Sequence, residues 1–249
     1  TDFELIKFRQ RVLVNMENRS LATKMIGQNV SMPLAIAPTG LTGMQHADGE
    51  LLAARAAEKF GVPFTLSTMS ICSIEDVAAN TSAPFWFQLY AMRDHDFMKN
   101  LIKRAQNAQC AALVLTADLQ ILGQRHKDIK NGLSAPPKPT FYNLLNLLVK
   151  PEWCMKMLNT KRRTFGNIVG HAQNVSDVSS LSAWTAEQFD QCLSWDDVAR
   201  LKDLWGGKLI IKGIMEPEDA EMAVKSGADA IVVSNHGGRQ LDGAQSTIK

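Results

Sequence analysis

Apolar residues fall along this chain in short runs, separated by stretches whose apolar positions recur every three or four residues. The runs are PLAIAP from 33, PFTLS from 63, FWFQLY from 85, ALVLTAD from 112, KLIIKG from 208 and AIVVSNHG from 230. Several are apolar at consecutive positions, the pattern of parallel strands buried on both faces. The stretches between them predict helices with recognisable ends. GELLAARAAEKFG closes on Gly61, suited to a left-handed C-cap. SIEDVAAN opens on Ser73 and SWDDVARLKDLWGG on Ser194, whose hydroxyls can accept from a first-turn amide. DHDFMKNLIKRAQ is a further helix, and EPEDAEMAVKSGA has Pro217 in its first turn and Gly227 at its end.

The order is strand, helix, strand, with strands near 33, 63, 85, 112, 209 and 230, which argues an α/β fold with a parallel sheet. Six strands suit either a doubly wound sheet or part of an eight-stranded barrel, and periodicity alone does not choose. Residues 119–194 break the rhythm, being far too long for an ordinary βα connection. They read as a long insertion after the fourth strand, within one domain covering 1–249. Between 132 and 175 the bases Lys138, Lys150, Lys156, Lys161, Arg162 and Arg163 face a single acid, Glu152. Phe141, Leu144, Leu145 and Leu148 share one helical face there. An apolar face beside positive charge suits a membrane-surface helix. Pro151 and the short helix favour the competing readings, an active-site lid or a subunit contact.

Composition removes other classes. The net charge of +2 is too small for a dedicated nucleic-acid binder, so no nucleic-acid partner is expected. No apolar run reaches the length of a membrane span. Cys72, Cys110, Cys154 and Cys192 are scattered without metal spacing and read as reduced thiols of a cytosolic protein. The chain begins TDFELIKFRQ and ends QSTIK as a new element starts, so a piece of a longer protein is expected.

The chemistry lies where the strands end. The first run ends in Pro38, Thr39 and Gly40, the second in Ser67 and Thr68, the third in Gln88 and Tyr90. The fourth ends in Thr116 and Asp118, followed by Arg125; the fifth in Lys212; the sixth in Ser234, His236 and Arg239. A lone Thr at a strand end usually caps the next helix, but polar groups after every strand mark an active-site edge. Arg125 and Arg239 are forks suited to a carboxylate. His236 can take a proton near neutral pH, and Asp118 can hold its imidazole in one tautomer. Lys212 is a cation at the end of an apolar run and needs an anionic partner. Gln88, Thr116, Ser67 and the backbone near Thr39 offer hydrogen bonds to a flat heterocycle, and Tyr90 could donate to a substrate oxygen. The set suggests oxidation of a small hydroxy acid against a bound ring cofactor. Taken singly, Arg125 could be solvated, Lys212 could pair with a helix carboxylate, and Asp118 could cap the next segment.

SNHGGRQLD at 234–242 resembles the signature of the FMN-dependent α-hydroxy acid dehydrogenases and oxidases. APTG at 37–40, LST at 66–68, FQLY at 87–90, LTAD at 115–118, GQRHKDIKNG at 123–132 and IKG at 211–213 extend the likeness over nearly the whole chain. GQRHKDIKNGLSAPPKPT and RRTFGNIVGH are most similar to the bacterial respiratory L-lactate dehydrogenase type. The resemblance implies a (β/α)8 TIM barrel, here truncated to about six βα units, with FMN at its C-terminal mouth. It assigns Pro38, Thr39, Gly40, Ser67, Gln88, Thr116, Lys212 and Ser234 to FMN. Tyr90, Arg125, His236 and Arg239 match substrate-binding positions, with His236 the base and Asp118 its carboxylate partner. The implied reaction is L-lactate to pyruvate, with electrons passing to a quinone or cytochrome. Partners then include peripheral membrane contact through 132–175, on the cytoplasmic side of the inner membrane, and further copies in a homo-oligomer. An oxidase using oxygen, and a non-catalytic fragment, are the alternatives. Absent from the chain are the Asp-Gly-Gly segment and Gly-Arg pair that bind the FMN phosphate in this family, and a substrate-contacting Tyr near the N-terminus.

Overall fold

A computed structural model describes residues 2–120, 123, 126, 130, 141–172, 175, 184 and 188–249; of residues 142 and 144 it describes only the backbone. A two-stranded antiparallel hairpin comes first, β1 (Thr23–Met25) and β2 (Gln28–Val30), turning through Ile26 and Gly27 at φ 51° and 84°. Five strands then build one parallel sheet in sequential order: β3 (Thr65–Ser67), β4 (Trp86–Tyr90), β5 (Ala112–Thr116), β6 (Lys208–Ile214) and β7 (Ala230–Val233). The first expected strand is reduced to a single parallel bridge. The Ile36 N–H donates to Pro63 O at 2.8 Å, and Ile36 O accepts from the Thr65 N–H at 3.1 Å. Pro33 and Pro38 bracket this bridge and remove donors from a longer ladder.

The helices before the insertion are α1 (Thr42–Gln45), α2 (Gly49–Phe60), α3 (Ile74–Ala78) and α4 (His95–Asn107). Within the insertion lie α5 (Phe141–Leu148) and α6 (Pro151–Asn159); α7 (Trp195–Trp205) and α8 (Pro217–Lys225) follow. Their ends obey the sequence signals. Gly61 closes α2 at φ 78°. The Ser73 Oγ accepts from the Asp76 N–H at 3.0 Å while the Ser73 N–H donates to the Asp76 carboxylate at 2.9 Å. At Ser194 both the N–H and the hydroxyl donate to Asp197.

Alternation along the strands sorts two cores. Leu66, Phe87, Leu89, Leu113, Leu115, Leu209 and Ile211 pack with Leu101 and Ile102 of α4 and Val198 and Trp205 of α7. Their neighbours in sequence, Trp86, Ala112, Val114 and Ile210, form a second cluster covered by Met25, Ile26, Ala35 and Ala230. The hairpin is fastened to it where the Trp86 Nε1–H donates to Gln28 Oε1 at 2.6 Å. Helix α2 touches α3, α3 touches α4, and α4 touches α7, one layer following the strand order. A doubly wound sheet reverses its strand order and carries helices on both faces, so this sheet is singly wound. It is open: no closed barrel forms among the described residues, and Ile231, Val232 and Val233 of β7 are 37%, 38% and 48% exposed.

The insertion returns to the sheet at residues 160–172. Thr160 Oγ1 donates to Asp48 at 2.7 Å, and Arg162 pairs with Asp48 at 3.1 Å and Asp76 at 2.7 Å. Helix α6 is fastened to α1, its Trp153 Nε1–H donating to Met44 O at 3.1 Å. Lys156 pairs with Glu152 at 2.6 Å. Part of the basic character counted in the sequence is therefore neutralised within the fold. The apolar side chains of Phe141, Leu148, Val149 and Leu158 stand exposed on α5, α6 and the turn between them.

Candidate active site

Strand β6 delivers Lys212 to the C-terminal edge of the sheet, and the segment leaving β7 delivers Ser234 and His236 beside it. Lys212 Nζ donates to Ser234 Oγ at 3.0 Å, and the same oxygen accepts from the His236 N–H at 3.1 Å. His236 Nδ1 lies 2.7 Å from Asp118 Oδ1, and Asp118 Oδ2 lies 3.8 Å from Lys212 Nζ. All three side chains are largely buried. Burial lowers the Lys212 pKa, with Asp118 acting in the opposite direction. Asp118 Oδ2 is buried without a hydrogen bond among the described residues. Gly213, at φ 113°, makes this close packing possible: a Cβ there would lie 2.8 Å from Asp118 Cβ.

The turn that presents His236 is left-handed. His236, Gly237 and Gly238 have φ of 58°, 66° and 68°. A Cβ on either glycine would meet nothing within 4 Å, so φ rather than space requires glycine there. A bulky residue at positive φ is uncommon and clusters at functional sites.

Toward β3 the edge continues as a buried ladder. Ser67 Oγ donates to Gln88 Oε1 at 3.0 Å, and Gln88 Nε2 donates to Thr116 Oγ1 at 2.9 Å. Sheet register explains the line: Ser67 pairs with Gln88, Tyr90 with Thr116, and Thr116 with Lys212. Directly paired residues share a face, so ladder and cluster lie on the face that bears Trp86, Val114 and Ile210. Tyr90 stacks edge-on against Phe189, ring centroids 5.5 Å apart. Pro38, Thr39 and Gly40 belong to a loop beside the Ser67 end of the ladder, held where the Leu41 N–H donates to Met69 O at 2.9 Å. A Cβ on Gly40 would lie 3.2 Å from Met69 Cβ and O, so this approach is already close.

The sequence-expected residues thus fall into one belt of Ser67, Gln88, Thr116, Asp118, Lys212, Ser234 and His236, with Tyr90 at its margin. Arg239 follows the turn and is exposed. Arg125 lies outside the described residues. Asn167, given no role from sequence, is fully buried against the belt. It donates through Nδ2 to Ser70 Oγ at 3.0 Å and Ser67 O at 3.3 Å, and its Oδ1 accepts from the Ile74 N–H at 2.9 Å. Its only sequence signal is its place in RRTFGNIVGH.

A ring cofactor with an anionic edge fits this arrangement. A buried cation whose nearest carboxylate is 3.8 Å away gains from such an edge, and the ladder presents polar groups in a row.

The model of the FMN-dependent dehydrogenase family matches residues 1–249. The chain is 46% identical over 249 residues to the L-lactate dehydrogenases of Yersinia pestis (strain Pestoides F) and Yersinia pseudotuberculosis (serotype O:1b, strain IP 31758). The match covers 100% of this chain and 65% of each relative, so the chain spans just under two thirds of their length. Among solved structures, the monotopic membrane protein (S)-mandelate dehydrogenase superposes with TM-score 0.90 at 36% identity, over 97% of this chain and 64% of that one. A mandelate oxidase with (S)-4-hydroxymandelic acid gives TM-score 0.76 at 33% identity, over 96% and 61%.

Proposed function

Because the chain belongs to the FMN-dependent dehydrogenase family, we propose that it carries the acid–base centre of an L-2-hydroxy acid dehydrogenase. The substrate is L-lactate, the product pyruvate, and the electron acceptor a quinone or cytochrome. The sheet is then an arc of a (β/α)8 barrel of about six βα units, counting the Ile36 bridge as the first strand and placing the insertion after the fourth. The observation that carries the reading is the 2.7 Å contact of His236 with Asp118 beside the largely buried Lys212.

FMN, when bound, supplies a two-electron acceptor. Lys212 and Ser234, the Ser67–Gln88–Thr116 ladder and the Pro38–Gly40 loop would hold it, and a fixed cation at Lys212 favours the more anionic reduced form. Asp118 accepts from the Nδ1–H of His236, which leaves the Nε2 lone pair to take a substrate proton. The same carboxylate stabilises the imidazolium that results. Arg125 and Arg239 are assigned to the substrate carboxylate, and Tyr90 to a substrate oxygen. Anaerobic stopped-flow mixing of the FMN-loaded protein with L-lactate, glycolate and (S)-mandelate tests the substrate. L-Lactate should reduce the flavin fastest, and a quinone analogue should reoxidise it faster than oxygen does. A preference for mandelate, or for oxygen, overturns the respective assignment.

The second part of the reading is peripheral membrane attachment through α5 and α6. No helix among the described residues is long and apolar enough to cross a membrane. The exposed Phe141 and Leu148 would enter the headgroup boundary, with basic residues against anionic lipid. Replacing both by Ser should weaken binding to anionic phospholipid vesicles by roughly tenfold or more, since each forfeits the burial of a large apolar side chain. Unchanged vesicle sedimentation would assign this face to something other than lipid.

A further inference from the structure

Glu50, in the first turn of α2, is 2% exposed, and its carboxylate is not spent on an ion pair among the described residues. Its Oε1 accepts two backbone hydrogen bonds from separate segments, from the Gly43 N–H in the first turn of α1 at 2.9 Å and from the Ile71 N–H in the loop after β3 at 3.0 Å. Its Oε2 is buried with no hydrogen bond among the described residues. A first-turn acid favours the helix dipole from the surface just as well. Burying it adds a desolvation cost that hydrogen bonds to the charge must offset. The segments are shaped for the contact: a Cβ on Gly43 would lie 2.6 Å from Ile71 Cβ and 2.8 Å from Glu50 Oε2.

Both segments run directly into the belt. Gly43 follows Pro38–Gly40, and Thr42 Oγ1 donates to Thr39 O at 3.2 Å. Ile71 follows Met69, whose N–H donates to Ser67 Oγ at 3.1 Å and whose O accepts from the Leu41 N–H at 2.9 Å. We propose that Glu50 is a positioning residue for the flavin site: its carboxylate locks the first turn of α1, and with it the 38–41 loop, to the 69–71 loop and so fixes the backbone that lines the ring. The inference rests on the reading of this edge as an FMN site.

Two variants separate reach from charge. Glu50→Gln keeps an acceptor oxygen at full length; Glu50→Asp keeps the charge but withdraws it by about 1.5 Å. FMN affinity by fluorescence titration, and the visible circular dichroism of the bound flavin, are measured on the folded FMN-loaded protein. Glu50→Asp should bind FMN roughly tenfold more weakly, the scale of one lost hydrogen bond to a charged acceptor, with an altered flavin spectrum. Glu50→Gln should match the wild type within about threefold. Should Glu50→Asp not fold, Gly43→Ala replaces it with the same expectation, because its methyl wedges the two segments apart. Wild-type affinity in the wedge or shortened variant, or lost affinity in Glu50→Gln, overturns the proposal. A wild-type protein that binds no FMN even when extended to the length of its relatives overturns the reading of the site instead.

Discussion

A His236→Gln variant will bind FMN as the wild type does and be reduced by L-lactate roughly 10²- to 10⁴-fold more slowly, the usual contribution of a positioned general base. Glutamine can still donate to Asp118 Oδ1, where Nδ1 now lies at 2.7 Å. What it lacks is a nitrogen able to accept a proton. The turn itself should survive, because its anchors do not involve the side chain of residue 236: the 236 N–H on Ser234 Oγ and the Gly238 N–H on Asn235 O. The left-handed φ of 58° is as uncommon for glutamine as for histidine. Flavin titration and anaerobic reduction rates on the same preparation keep binding and chemistry apart. Reduction within tenfold of wild type would remove His236 from the chemistry, and loss of FMN would make it structural.

Local physics made much of the fold legible. Gly61, Ser73 and Pro217 mark real helix ends because capping depends on a few adjacent residues. The apolar runs from 63, 85, 112, 208 and 230 contain the five strands. The run from 33 reads like the others, yet Pro33 and Pro38 leave room for one bridge only. The hairpin at 23–30 gave no Asn-Gly or Asp-Gly signal, since Ile26 itself takes the positive φ.

Legibility fell off with distance along the chain. Polar residues at strand ends are visible in the sequence, but register is not, so the Ser67–Gln88–Thr116 ladder emerges only when three strands align. The contact of Asp118 with His236 spans 118 positions; residue types at strand ends and the family resemblance suggested the pairing, but its distance appears only in the fold. Burial of charge is equally hidden. Arg162 reads as part of a basic surface yet pairs with Asp48 and Asp76, and Glu50, given no role from sequence, accepts from two separate backbone segments.

Asp118→Asn should slow flavin reduction by roughly 10²- to 10⁴-fold, because the amide will face the imidazole with the wrong group. The choice is set by Lys212. An asparagine has one oxygen and one NH2, and the two positions they can occupy differ sharply. One faces His236 Nδ1 at 2.7 Å, and the other lies 3.8 Å from the Lys212 ammonium. Pointing the NH2 at Lys212 would set donor against donor in a buried place, so the oxygen takes that side. The NH2 then donates to Nδ1, the ring proton moves to Nε2, and the lone pair needed for the substrate is gone. Lost with it is the carboxylate that stabilised the imidazolium. FMN affinity should change little, since Lys212 and Ser234 keep their 3.0 Å contact. The cause is separable from simple loss of charge. Lys212→Met removes the group that orients the amide, so adding Asp118→Asn on that background should cost distinctly less than it does alone, a coupling a double-mutant cycle reads directly. An equal cost on both backgrounds would show that the carboxylate's charge alone matters, and that Lys212 does not set the tautomer of His236 through residue 118.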